Sequence, residues 1–136
     1  MHFYHHQLDN GIRIVHIKTN RAVAHCGLII KGGSRDEYEK EQGLAHFIEH
    51  VIFKGTHHRK AYHILSRMED VGGEINAFTT KEETCIHSSF MPKYYERSLE
   101  LLSDIIFNSA FPKKELEKEK IIKTHISLVI TKVAHL

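Results

Sequence analysis

The sequence predicts an α+β fold, a mainly antiparallel sheet with helices on one face. Short segments that alternate apolar and polar residues are separated by segments with apolar residues at helical spacing, and Gly, Asn and Pro punctuate the joints. Phe3 to Leu8 and Ile12 to Ile17 alternate, with Asp9-Asn10-Gly11 between them as hairpin turn chemistry. Val23 to Lys31 reads as a third strand, closed by Gly32-Gly33-Ser34, and the charged stretch from Arg35 to Glu41 reads as exposed.

From Gln42 to about Lys54, the positions Leu44, Phe47, Ile48, Val51 and Ile52 recur with the period of an amphipathic helix, and Gly55-Thr56 ends it. Ala61 to Val71 is a second helix with Ile64, Leu65 and Met68 inward, stopped by Gly72-Gly73. Glu74 to Thr80 and Thr84 to Met91 form two strands joined by Lys81-Glu82-Glu83. Pro92 opens a long helix with Tyr95, Leu99, Leu102, Ile105 and Ile106 on its apolar face, and Phe111-Pro112 separates it from a last helical segment, Lys113 to about Thr124. The order β-β-β-α-α-β-β-α-α is that of an α+β sandwich, with no internal repeat and no linker.

Composition narrows the function classes. A formal net charge of +2 over 136 residues, without a Lys/Arg block, argues against nucleic acid. No apolar run approaches the roughly 18 residues of a membrane span, and the first residues have no secretory pattern, so a cytoplasmic protein with no membrane partner is expected. Cys26 and Cys85 lack metal or redox spacing and read as small buried hydrophobes. The 13 His are scattered rather than tandem, against a metal-storage role.

One arrangement carries chemistry. On a helix, His46, Glu49 and His50 share one face, so two imidazoles can hold a zinc ion with a carboxylate beside it. With His and Glu both abundant, chance alone would produce the pattern in about one chain in nine, so its neighbours must decide. Three polar residues on an exposed helix face are the plain alternative.

Those neighbours are Leu8-Asp-Asn-Gly11, Gly32-Gly-Ser34, Gly43-Leu-Ala-His-Phe-Ile-Glu-His50, Phe53-Lys-Gly-Thr56, Gly72-Gly-Glu-Ile-Asn-Ala77 and Thr84. Together with the inverted zinc signature His-x-x-Glu-His, they resemble the pitrilysin/insulinase family of zinc metallopeptidases, which includes the mitochondrial processing peptidases. The resemblance extends nearly to Lys120. It implies a LuxS/processing-peptidase-like metalloprotease fold in which zinc is bound by His46 and His50. Glu49 is then the catalytic base that takes a proton from the metal-activated water as a peptide bond is hydrolysed. Asn76 and Ala77 match the substrate-binding strand, an edge that pairs with an extended peptide.

His125 stands where the family supplies a Glu as third ligand, giving a three-His set here. Glu119 matches the family's auxiliary acidic residue. The family builds a half-molecule from two such domains and pairs two halves around a chamber, so a homologous domain or second subunit is an expected partner beside the peptide substrate. Residues 1–136 are expected to be one N-terminal metallopeptidase domain, truncated at its C-terminal end, with 124–136 an atypical tail created by a frameshift or premature stop. The alternative function is a catalytically inactive fragment or a core-type interaction subunit of the same family.

Overall fold

The computed structural model describes residues 2–122, with side chains through 117. Strands β1 (Phe3–Gln7), β2 (Arg13–Ile17) and β3 (Ala24–Ile30) are followed by helices α1 (Leu44–Val51) and α2 (Ala61–Glu69). Strands β4 (Glu74–Thr79) and β5 (Thr84–Phe90) precede helices α3 (Tyr95–Phe107) and α4 (Lys113–Ile122). The element order is the expected one, and all strand pairing is antiparallel.

The strands divide into two sheets rather than one. β3, β5 and β4 lie in that order, with β5 central, Leu28 opposite Ile86 and Ala77 opposite Ile86 on its other side. β1 and β2 pair only with each other among the described residues, from Phe3 opposite Ile17 to Gln7 opposite Arg13. The turn is as expected: Gly11 has φ +87°, and the Asn10 side chain accepts the Ile12 N–H at 3.1 Å. Every residue of β1 and β2 is exposed, so neither strand has a buried face to draw it into the larger sheet.

The core lies between the larger sheet and the helices. Ile86 and Phe90 of β5 meet Ile52, Ile64, Met68, Leu101, Leu102 and Ile105. Fully burying each such side chain contributes about 1.5–3 kcal/mol. A second cluster, Phe47, Val51 and Leu116, joins α1 to α4. Ser88 and Ser98, both buried, hydrogen-bond to each other across the β5–α3 contact.

Three details correct the sequence-based faces. On α3 the buried residues are Ser98, Leu101, Leu102, Asp104 and Ile105, while Leu99 is 41% exposed and Tyr95 is also exposed. The stripe is centred one position away from the expected one because Ser98, small enough to approach the sheet, takes an inward site. On α2, Leu65 is exposed and only Ile64 and Met68 are buried. Pro92 begins a short 3₁₀ turn, Pro92–Tyr94, and the α-helix itself starts at Tyr95. Cys85 is buried and Cys26 half-buried, and burial raises both thiols above their ordinary range.

Candidate metal centre and peptide-binding edge

Helix α1 is shorter at both ends than its apolar periodicity suggests, and its start is set by a residue outside it. Gly43 precedes it at φ +92° and has no side chain to cap the free N–H groups. Glu37 supplies the cap, its two carboxylate oxygens accepting the Gly43 N–H at 2.7 Å and the Ala45 N–H at 2.8 Å. A carboxylate at this end also opposes the positive end of the helix dipole. The stretch expected to be simply exposed thus contains the residue that anchors α1. Its spacing from the helix, wider than a capping box, hides it from local sequence patterns.

On α1, His46 and His50 turn their Nε2 atoms toward one another, 3.1 Å apart. Their rings meet edge to face, with centroids 4.6 Å apart and planes at 81°. Two nitrogens on one tetrahedral zinc, each at about 2.0–2.1 Å, lie roughly 3.3 Å from each other. The pair therefore has the convergence that a shared ion requires. Glu49 lies beside it on the same helix, one carboxylate oxygen 3.7 Å from His46 Nδ1. The His46 side chain is 59% exposed and that of Glu49 20%, so the imidazoles face solvent and the carboxylate is set back.

Among the described residues, no group of three or more His, Cys, Asp or Glu is arranged to hold a metal. The expected third ligand, His125, and the side chain of Glu119 lie outside the described residues.

Asn76 and Ala77 are on β4, which pairs only with β5 and so leaves one edge open among the described residues. α1 packs directly against this strand. Asn76 is exposed, and its side-chain oxygen accepts the Ala77 N–H at 2.9 Å, so the Asn occupies its own backbone locally. Gly72, at φ +72°, turns the chain out of α2, and the N–H groups of Gly72 and Gly73 close the end of that helix on Glu69 and Met68. A Cβ at Gly73 would lie 2.9 Å from the Ser89 carbonyl oxygen, so only Gly brings the chain this close to β5. An apolar cavity of about 260 Å³ lies between α1 and the ends of β3 and β5, walled by Ile30, Leu44, Ile48, Ile52 and Ile86, with Glu49 on its lining.

Fold and site together define a class: an α+β domain presenting a His-x-x-Glu-His helix beside an open antiparallel strand. The sequence pattern of the family described as Insulinase (Peptidase family M16) matches residues 13–134, and the chain belongs to that family, one of zinc metallopeptidases. The uncharacterized zinc protease YmxG of Bacillus subtilis (strain 168) is 42% identical over 114 residues, 82% of this chain and 28% of that protein. The mitochondrial-processing peptidase subunit beta of Bos taurus is 39% identical over 113 residues, 83% of this chain and 23% of that one. The crystal structure of a protease from Helicobacter pylori superposes with a TM-score of 0.85 at 26% identity, covering 89% of this chain and 30% of that one. The chain thus spans about a quarter of the length of the curated relatives it matches.

Proposed function

We propose that this domain carries the metal-binding and substrate-strand parts of a zinc-dependent metalloendopeptidase. The observation that carries the reading is the convergence of His46 and His50 Nε2 on a helix packed against the open strand β4. His46 and His50 would hold the ion, with His125 as third ligand. Zinc, when bound, would polarise the scissile carbonyl and lower the pKa of water toward neutrality.

The chain's own residues do the rest. Glu49 accepts the proton released as water attacks and returns it to the departing amine. Its setback position, beside the His pair but not between the two Nε2 atoms, suits a base rather than a ligand. Along β4, an extended peptide adds as a further strand, held by backbone hydrogen bonds. Asn76 and Ala77 are the contact positions, and the Ala77 N–H now held by the Asn76 side chain becomes available when that side chain turns to the peptide. The substrate class is an extended or presequence-like peptide segment, and a homologous domain or second subunit completes the chamber around it.

Hydrolysis of an internally quenched peptide by the zinc-loaded chain, with and without a homologous companion domain, tests this function. Replacing Glu49 by Gln is expected to leave zinc bound and slow turnover by about 10²–10⁴-fold, the range of a general base. Equal turnover by wild type and Glu49→Gln would remove Glu49 from its role.

A further inference from the structure

The most heavily satisfied buried charge in the described structure lies away from the His pair. Asp104, on α3, is 4% exposed. One carboxylate oxygen accepts the Thr56 hydroxyl at 2.8 Å and the Arg59 guanidinium at 2.6 Å. The other lies 2.6 Å from His58 Nδ1 and accepts the Asn108 amide at 3.1 Å. Burial alone would raise this carboxyl, but the bonds from His58, Thr56, Arg59 and Asn108 outweigh it and hold it well below the ordinary carboxylate range.

Three of the four partners belong to the turn that follows α1. The same turn is tied to the end of α3 through the backbone: the His57 N–H donates to the Asn108 carbonyl at 2.9 Å, and the Ala110 N–H donates to the Gly55 carbonyl at 3.1 Å. Gly55 also abuts Pro112, whose ring a Cβ at Gly55 would approach to 2.9 Å. The Pro112 carbonyl then accepts the N–H groups of Glu115 and Leu116, the first hydrogen bonds of α4. Leu116 returns to α1 in the cluster with Phe47 and Val51. The contacts form a closed circuit from α1 through the turn, the α3 end and Pro112 into α4 and back to α1.

The circuit joins the helix that bears His46 and His50 to α4. A buried carboxylate is a weak source of net stability, since an apolar side chain of similar size often does as well. It does have directional bonds that fix where the turn lies. We propose that Asp104 is a positioning residue for the helix that bears His46 and His50: it clamps the turn that leaves α1 against the end of α3, from which the chain enters α4 through Pro112, and so sets how α1 lies against α4. This rests on the zinc reading above for its functional consequence, but not for its geometry.

The test uses the full chain with Asp104→Asn, Thr56→Val and Thr56→Ser, and with Ile64→Val as a core control on α2, outside the circuit. Zinc affinity is measured by competition with a chelator. The chemical shifts of the Leu116 methyl groups, beside the Phe47 ring, report the α1–α4 contact without metal. Asp104→Asn and Thr56→Val are expected to weaken zinc at least tenfold and to move the Leu116 methyl signals. Thr56→Ser, which keeps the hydroxyl, should restore both, and Ile64→Val should change neither beyond what its loss of melting temperature entails. The proposal is overturned if Asp104→Asn and Thr56→Val lower the melting temperature yet leave both readouts as in wild type, or if Ile64→Val moves them equally. Should wild type bind no zinc, the zinc reading fails by itself and the Leu116 signals decide the role of Asp104, unmoved signals overturning it.

Discussion

Removing the Glu37 carboxylate should loosen the first turn of the helix that carries His46. Its two oxygens take the N–H groups of Gly43 and Ala45 at 2.7 and 2.8 Å, distances typical of charge-assisted bonds. Loss of an N-cap costs about 0.5–2 kcal/mol, and loss of an anion at a helix N-terminus about 0.3–1 kcal/mol. Glu37 is half-buried, so screening reduces these values only partly. Glu37→Ala should therefore cost about 2 kcal/mol, equivalent to roughly 8 °C in melting temperature for a domain of this size. Glu37→Gln, which keeps one good acceptor, should cost about half as much. Urea titration gives the difference from the midpoints at a common slope, and amide exchange at Gly43 and Ala45 localises it. A Glu37→Ala midpoint within about 0.5 kcal/mol of wild type, with unchanged protection at both amides, would refute the assignment of the cap.

Gly33→Ala should cost about 1–3 kcal/mol, the range of overpacking. A Cβ there would lie 2.5 Å from the Thr80 carbonyl oxygen and 2.6 Å from the Glu82 nitrogen, forcing the loop off the β4–β5 turn. Faster amide exchange at Ser34 and Arg35, which donate to Thr80 and Lys81, is the accompanying local signal. The depressed pKa of Asp104 gives the chain an acid limb. Its contribution is complete above the unfolded carboxylate value, about pH 4, and is lost as the pH falls below it toward the lower folded value. Denaturation midpoints between about pH 5 and 2 should fall less steeply for Asp104→Asn than for wild type. Parallel limbs would show that Asp104 is not the group responsible.

Local chemistry made much of this fold legible. Asn10-Gly11 encodes a turn by its own conformational preferences, and Phe47, Val51 and Ile52 mark the buried side of α1 by spacing alone. The His46-Glu49-His50 face was legible for the same reason, since one helical turn fixes it. Determinants that act across long sequence separations were not. Glu37 caps a helix through an intervening loop, and Asp104 meets the 56–59 turn from an element more than forty residues away. Neither has a periodicity to betray it. The Leu99 side chain misled because a long apolar residue at helical spacing suggests a face, while the small Ser98 beside it shows where the sheet lies close; on α2 the exposed Leu65 carries the same apolar signal as the buried Ile64 next to it. The separation of the β1–β2 hairpin was equally hidden, because alternation identifies strands but not the neighbour each strand finds.

Whether His46 and His50 hold a catalytic-type zinc is decided by elemental analysis of the chain after exhaustive dialysis, beside His46→Ala and His125→Ala. One tightly held zinc per wild-type chain, absent from His46→Ala, is the predicted result, and its loss from His125→Ala would assign the third ligand. Zinc retained at wild-type stoichiometry by His46→Ala, or no zinc retained by wild type, would show that the His pair is not a zinc site.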